Sequence, residues 1–228
     1  MLYHRPMRLA LLVLLAVGPA ARAGEPVPPR DWLWHMVSEC LDAGKPDYCR
    51  RCRRPIDGSC GEVPCAESIA VWTVDDQFAA IRDRKMCGCP PGFVHGLAIP
   101  RTPIKGIEDP RRPRGLWAFA WKVAREKIPK ASEILLVVNG PTRRTQDQLH
   151  VHALRLSSEG RRRLAETHPE AVAGLMDVWD AAARHAKAQG LTGWYGVAAA
   201  QADSGDGFIV SASAGDHPET EFGQAFCR

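Results

Sequence analysis

Three polar residues alternate along one segment near the middle of the chain. Gln148, His150 and His152 occupy every second position at the end of the stretch Thr145–His152. Alternate side chains of a β-strand face the same side, so neighbours in this set would lie roughly 7 Å apart. The intervening apolar residues would face a hydrophobic core. A neutral imidazole is a competent nucleophile, so this pattern predicts chemistry on an anionic group such as a phosphate.

The neighbouring sequence predicts the elements that present these side chains. The apolar run Ile134–Val138 is typical of a buried strand, and the turn Asn139-Gly140-Pro141 ends it. We predict a second strand over residues 148–156. The turn between the two strands carries further polar residues that can bind phosphate oxygens, namely Asn139, Arg143, Arg144 and Thr145.

The remaining pattern predicts an α+β fold of mostly antiparallel strands with packed helices. Helices are predicted over Trp32–Leu41 with Asp31 as its cap, over Leu116–Ile128, from Ser157 or Ser158, and from Thr167–Pro169 to Gly190. Further strands are predicted over residues 67–74, near Ile81 and over 93–99, with a hairpin formed by residues 194–200 and 208–213.

The N-terminus has the pattern of a secretory signal peptide. Arg5 and Arg8 precede the apolar run Leu9–Val17, and Ala-Arg-Ala at residues 21–23 offers a cleavage site. This run is too short for a comfortable transmembrane helix. We therefore expect removal of residues 1–23 and a periplasmic or secreted protein. An uncleaved segment would instead hold the protein at a membrane.

Cleavage would leave a nearly neutral protein with one domain, residues 24–228. The first 23 residues contain three arginines and no acidic residue, so the formal net charge falls from +4 to +1. Proteins that bind nucleic acid usually present a strongly basic surface. The charge therefore argues against nucleic acid as a partner, and the oligomeric state stays open.

The cysteines favour disulfides over a metal site. The chain has eight, which are Cys40, Cys49, Cys52, Cys60, Cys65, Cys87, Cys89 and Cys227. An even set in an exported protein predicts four disulfides, whose pairing the spacing leaves open. The alternative is zinc, since Cys49-x-x-Cys52 and Cys87-x-Cys89 have ligand spacing.

The segment around His150 resembles the motif of the histidine-triad superfamily, and the chain resembles the CDP-diacylglycerol pyrophosphatase family within it. The segments that carry the likeness are Val37–Leu41, Pro64–Glu67, Ile99–Pro110, Asn139–His152, Trp194–Val197 and Cys227. The chain departs from the superfamily pattern at Gln148, where a histidine is usual. Cysteine-bearing insertions at 42–63 and 83–92 are a second departure.

This resemblance implies a histidine-triad-like antiparallel sheet and a hydrolase that splits CDP-diacylglycerol into CMP and phosphatidate. His150 would attack phosphorus and form a nucleotidyl-histidine intermediate, while His152 would assist the leaving group or bind phosphate oxygens. Gln148 can orient a neighbouring imidazole but cannot carry its charge. We expect no cofactor and no metal ion, and a peripheral contact with a membrane surface that holds the lipid substrate.

Other interpretations of the same residues stay open. Gln148 favours a disulfide-stabilised nucleotide- or lipid-binding module that has lost turnover, and another nucleotide conjugate is an alternative substrate. The alternating histidines can also be an exposed polar strand face, and Arg143 with Arg144 a basic turn. For His95 the sequence favours a structural or surface histidine over a catalytic one.

Overall fold

The computed structural model describes residues 30–48, 50, 70–86, 88–215 and 217–227. The expected signal peptide, residues 1–23, lies outside this part of the chain. Five of the cysteines also lie outside it, namely Cys49, Cys52, Cys60, Cys65 and Cys87. Export and the single domain over 24–228 therefore stay predictions.

An eight-stranded sheet forms the centre of the molecule. Its strands are β1 (Val71–Val74), β2 (Phe78–Arg82), β3 (His95–Pro100), β4 (Ile134–Val138), β5 (Val151–Arg155), β6 (Glu170–Val172), β7 (Gly196–Gln201) and β8 (Phe208–Ser213). The strand order is β1-β2-β3-β5-β4-β7-β8-β6, and every neighbouring pair is antiparallel. The predicted α+β class is confirmed, while the likeness to a histidine-triad sheet stays a prediction.

Five helices surround the sheet in the described part of the chain. They are α1 (Trp32–His35), α2 (Gly115–Lys127), α3 (Ser158–Glu166), α4 (Val178–Ala188) and α5 (Pro218–Phe222). A π-helical turn, Met36–Cys40, continues α1. Within the described residues no helix is long and apolar enough to cross a membrane.

One face of the sheet packs against α2 and α4. Leu149, Val151 and Ala153 point to this face and join the largest hydrophobic cluster, as their alternation predicted. Trp117 of α2 and Trp179 of α4 meet edge to face in the same cluster, with ring centroids 5.0 Å apart. This large apolar layer fixes the register of β5, because a slip by one residue would turn the whole set away from the core.

The opposite face carries two separate hydrophobic clusters. One lies under α1 and includes Leu97, and the other lies near α3 and α5 and includes Val137. His152 pairs with Leu97 on one side and with Val137 on the other. Its side chain therefore falls on the seam between the two clusters, where a polar group can be buried without disrupting either.

Several predicted elements match the structure closely. The strand Ile134–Val138 is confirmed at both ends, and α2 agrees with the predicted helix to within one residue. The Ser157 hydroxyl caps α3 by accepting a hydrogen bond from the Gly160 amide at 2.8 Å. The hairpin of β7 and β8 is present, with Gly205 and Gly207 at positive φ in its turn.

The helix predicted from Thr167–Pro169 to Gly190 is wrong in its first half. Glu170–Val172 forms β6, which pairs with the edge strand β8, and α4 begins only at Val178. Pairing with β8 satisfies backbone groups that an isolated helical turn here would leave to solvent, so tertiary contacts override the local pattern.

Two smaller predictions also need correction. The carboxylate of Asp31 does not cap α1 and instead lies 3.2 Å from Nε2 of His35. Strand β5 begins at Val151, so Gln148 and His150 precede it rather than lying within it. Gln148 makes only an isolated bridge with Lys105, because its side chain is engaged with the segment after β3.

The disulfide prediction is confirmed where it can be checked. Cys89 is bonded to Cys227, across 138 residues of sequence. Cys40 is also disulfide-bonded, to a cysteine outside the described residues. The zinc alternative for Cys87-x-Cys89 is wrong, because the sulfur of Cys89 is already used. The Cys89–Cys227 bond ties the C-terminal segment to the loop that precedes β3.

Candidate active site

His150 is buried immediately before β5, with 7% of its surface exposed. Its Nδ1 atom lies 2.7 Å from the backbone oxygen of Gln148. A carbonyl oxygen only accepts hydrogen bonds, so Nδ1 must carry the proton and Nε2 presents its lone pair. Burial lowers the pKa of His150, which favours the neutral ring. The side chain is therefore held in the tautomer that a nucleophile needs.

The side chain of Gln148 holds the backbone rather than the imidazole. Its Nε2 atom donates to the carbonyl oxygens of Pro100 and Thr102 at 2.8 and 2.7 Å, and its Oε1 accepts from the Ile104 amide at 3.2 Å. Both the nitrogen and the oxygen of this side-chain amide are therefore bound to backbone groups at the end of β3 and just after it. The expectation that Gln148 orients the imidazole is met by its backbone carbonyl and not by its side chain.

His152 lies beside His150 and is joined to His95. The ring centroids of His150 and His152 are 4.8 Å apart, and Nδ1 of His152 lies 3.0 Å from Nε2 of His95. His95 Nδ1 donates to the Ala225 carbonyl oxygen at 3.2 Å. In a neutral His95 ring Nε2 must then accept, so His152 donates from Nδ1 and its own Nε2 accepts. Burial lowers the pKa of His152.

A fully buried carboxylate, Glu219 of α5, lies behind His152. Its Oε2 accepts a hydrogen bond of 2.8 Å from Asn139 and lies 3.6 Å from Nε2 of His152, while its Oε1 is paired with Lys85. Burial raises the pKa of Glu219, but electrostatic interactions with the His152 imidazole and the Lys85 ammonium outweigh this effect, and the net pKa is well below its usual range. The carboxylate is ionised and anchors Asn139.

Asn139 is thus placed against His152, although not as a free phosphate ligand. Its Nδ2 atom donates to Glu219 and lies 3.4 Å from Nε2 of His152. Its Oδ1 atom is buried and has no hydrogen-bond partner among the described residues. A buried acceptor without a donor is costly, so this atom fits a donor group of a bound ligand.

Arg144 is committed to an ion pair. Its guanidinium makes a forked contact with Glu108, with both N···O distances 2.5 Å, and 6% of its side chain is exposed. Gly106, at φ +64°, lies directly against this guanidinium and leaves no room for a Cβ atom. The structure therefore places Arg144 in the scaffold of the loop, and its predicted role as a phosphate ligand would require it to leave Glu108.

Arg143 and Thr145 are exposed on the same loop. The backbone amides of Arg143 and Arg144 donate to the Gly140 carbonyl, at 3.2 and 3.1 Å, so these two amides are not open to phosphate. No contact given by the structure brings Arg143 or Thr145 to the imidazoles. Their substrate-binding roles stay predictions.

The N-terminal segment fixes the loop that leads to His150. Arg30 makes an ion pair with Asp147 at 2.5 Å and accepts a hydrogen bond from the Asp147 amide through its carbonyl oxygen at 2.7 Å. The Leu33 amide donates to Oε1 of Gln146 at 3.0 Å. Arg30 and Leu33 thus hold the residues that immediately precede Gln148.

Comparison with known proteins identifies the family. The family model described as CDP-diacylglycerol pyrophosphatase matches residues 28–187, which is more than half of the chain. The chain belongs to this family. It is also similar to the CDP-diacylglycerol pyrophosphatase of Yersinia pestis, with 28% identity over 156 residues that cover 64% of this chain. The match spans 52% of the Yersinia pestis protein, about half of its length.

The family match contains both imidazoles of the motif together with Asp83, Lys85 and His95, and it ends before Glu219. Sequence analysis missed Asp83, Lys85 and Glu219, and for His95 it favoured a structural or surface histidine over a catalytic one. Asp83 and Lys85 lie in a segment interpreted as an insertion, and Glu219 lies 67 positions beyond His152. His95 and His152 come into contact because β3 pairs with β5. The residues next to His95 in the sequence give no indication of this contact.

Proposed function

We propose that this member of the CDP-diacylglycerol pyrophosphatase family hydrolyses the pyrophosphate bond of CDP-diacylglycerol to CMP and phosphatidate. The observation that carries the proposal is the contact between Nδ1 of His150 and the Gln148 carbonyl at 2.7 Å. It leaves a lone pair on Nε2 of a neutral, buried imidazole. Membership of the family supplies the substrate class.

The reaction takes two displacements at the phosphorus atom that bears the cytidine. In the first, Nε2 of His150 forms a bond to phosphorus, the bridging P–O bond breaks, and phosphatidate leaves with the electron pair. In the second, water forms a P–O bond and releases a proton to solvent, the P–N bond breaks, and Nε2 recovers its lone pair as CMP departs. Covalent catalysis of this kind replaces one difficult displacement by two easier ones.

The groups around His150 position the substrate and balance the negative charge of its pyrophosphate. His152 fixes one wall beside His150 through its contacts with His95 and Asn139. Lys85 supplies a positive charge near the pyrophosphate, partly balanced by Glu219. A hydroxyl of the substrate can donate to the unsatisfied Oδ1 atom of Asn139. These contacts orient the substrate and need no metal ion.

Two exposed aromatic residues support access from a membrane surface. Trp194 is 60% exposed and lies just before β7, whose Val197 pairs with Val138 next to Asn139. Phe226 is 55% exposed, and the Lys85 ammonium lies 5.3 Å from the centre of its ring. Phe226 thus adjoins Lys85 beside the histidine site, and Trp194 precedes the strand that pairs next to Asn139. Amphipathic aromatic residues are favoured at membrane–water interfaces, where the diacylglycerol part of the substrate resides.

Export of the protein belongs to the same proposal. The pattern of residues 1–23 predicts a cleaved signal peptide. The Cys89–Cys227 bond supports an oxidising compartment, because disulfides persist mainly outside the cytosol. A periplasmic or secreted location follows, with the membrane as a peripheral contact.

One assay tests the activity and the nucleophile together. The mature protein is incubated with CDP-diacylglycerol in mixed micelles, with and without EDTA, and CMP and phosphatidate are quantified. We expect equal release of both products in each condition, and a loss of at least about 10³-fold for His150→Ala. The control is His168→Asn, which changes an exposed histidine in a different part of the fold and keeps a residue that tolerates its φ of 54°.

The outcomes separate the candidate functions. Hydrolysis by folded His150→Ala protein, judged by its circular dichroism, would reject the nucleophile. Binding of CDP-diacylglycerol without release of CMP by the unaltered protein would identify a binding module. Release of mononucleotide only from soluble nucleotide conjugates would move the substrate away from lipid.

A further inference from the structure

Three ligand atoms converge on the side of His152 away from Asn139. They are Oδ2 of Asp83, Nε2 of His95 and Nδ1 of His152, and all lie within 4.8 Å of one another. The two nitrogens are 3.0 Å apart, and the carboxylate oxygen is 3.5 Å from His95 and 3.8 Å from His152. Two imidazoles and a carboxylate on one point form a donor set that transition-metal ions use.

The spacing of these atoms fits tetrahedral coordination. Zinc bound at 2.0–2.2 Å to nitrogen and oxygen ligands places any two of them about 3.4 Å apart. The three distances, 3.0, 3.5 and 3.8 Å, lie on either side of that value. Shifts of a few tenths of an ångström in the side chains would bring all three atoms onto one ion.

Contacts around His95 and Asp83 already orient these two residues as ligands. His95 is fully buried, and its Nδ1 donates to the Ala225 carbonyl, which leaves Nε2 as the atom that can bind a metal. Histidine ligands in proteins commonly donate their second N–H to a carbonyl in this way. Asp83 uses its other oxygen, Oδ1, to accept from the Lys85 amide at 2.9 Å, so Oδ2 is left for the ion.

We propose that Asp83, His95 and His152 form a binding site for Zn²⁺ or a divalent ion of similar preference. The ion takes the place of the proton on Nδ1 of His152, and that proton moves to Nε2 of the same ring, which lies 3.6 Å from Oε2 of Glu219. Water completes the coordination of the ion. Mg²⁺ and Ca²⁺ are disfavoured because they prefer oxygen ligands. The described cysteines do not compete, since Cys40, Cys89 and Cys227 are in disulfides.

Lys85 limits the affinity of this site. Its ammonium group is paired with Oε1 of Glu219, and that oxygen lies 3.5 Å from Nε2 of His95. A second cation nearby opposes the metal ion, and the pair also keeps Glu219 from serving as a fourth ligand. Removing the ammonium therefore relieves repulsion and frees a carboxylate oxygen for the ion.

The experiment measures metal binding and needs no substrate, so its result is independent of the proposed hydrolysis. Full-length mature protein is stripped with EDTA, dialysed and titrated with Zn²⁺ in competition with a chromophoric chelator. We expect one ion per chain, a rise in melting temperature with Zn²⁺, and a Co²⁺ spectrum of tetrahedral intensity. Asp83→Asn and His95→Gln should each weaken binding at least about 10-fold.

Two further variants sharpen the test. Lys85→Met should tighten Zn²⁺ binding, and it keeps the proposal falsifiable if a ligand variant fails to fold. His35→Ala removes the exposed cluster of His35 with Asp31 and Glu39 and should leave binding unchanged. Zinc affinity that ignores Asp83→Asn in folded protein, or that falls with Lys85→Met, would overturn the proposal, as would the absence of stoichiometric binding to the unaltered protein.

Discussion

The Nδ1 atom of His150 is held 2.7 Å from the backbone carbonyl oxygen of Gln148. That single contact joins the chemistry to the scaffold, because the side chain of Gln148 is itself bound to three backbone groups after β3. A change of tautomer or a rotation of the imidazole would therefore break its hydrogen bond to a backbone carbonyl that the scaffold holds in place. Gln148, whose side chain does not titrate, thus orients His150 through its backbone carbonyl.

Gln148→Ala should lower the stability of the protein. The change leaves two carbonyl oxygens and one amide without their partners in a buried place, so we expect a loss of about 2–4 kcal/mol in the free energy of unfolding. Urea unfolding followed by circular dichroism measures it. Gln189→Ala, at an exposed glutamine on the far end of α4, is the control and should change little. Equal stability of the two variants would show that the Gln148 side chain does not support the loop.

Arg144 and Glu108 should behave as a coupled pair. Arg144→Ala leaves a partly buried carboxylate without its forked partner, and we expect a loss of about 1–3 kcal/mol in the free energy of unfolding. In a double-mutant cycle with Glu108→Ala the two losses should not add, with a coupling of about 0.5–3 kcal/mol. Additive losses, together with a rise in KM for Arg144→Ala alone, would instead place Arg144 on the substrate.

Trp194 and Phe226 should matter only when the substrate is in a bilayer. We expect Trp194→Ala and Phe226→Ala to lower hydrolysis of CDP-diacylglycerol in anionic vesicles several-fold, because each removes a large aromatic contact with the interface. The rate on a water-soluble short-chain analogue should be unchanged. Met176→Ala is the matched control, since Met176 is 50% exposed and its carbonyl contacts Arg114 on the α2 side of the sheet. Equal losses on both substrates would assign the aromatics to the site itself.

The sequence predicted those elements whose conformation depends on the pattern of their own residues. The run Ile134–Val138 predicted a buried strand, and the alternation around Val151 predicted which side chains face the core. Glu170–Val172 is the counterexample. Its extended conformation depends on pairing with Phe208–Val210, nearly forty positions away, and no neighbouring residue signals it.

The site was predicted in part for the same reason. His150 and His152 share a short motif, whereas His95 and Glu219 reach it only through the packing of β3 and α5. The role of Arg144 could not be foreseen either, because a basic residue in a turn has the same sequence pattern whether it binds phosphate or a carboxylate. In the structure Arg144 binds the carboxylate of Glu108.

The stereochemical course at the nucleoside phosphorus tests the nucleophilic role of His150 most directly. CDP-diacylglycerol made chiral at that phosphorus with sulfur and an oxygen isotope is hydrolysed in isotopically labelled water, and the configuration of the CMP analogue is determined. Attack by Nε2 followed by water gives two inversions, so we predict retention of configuration. Inversion would mean that water attacks phosphorus directly, and His150 would then not form a covalent intermediate.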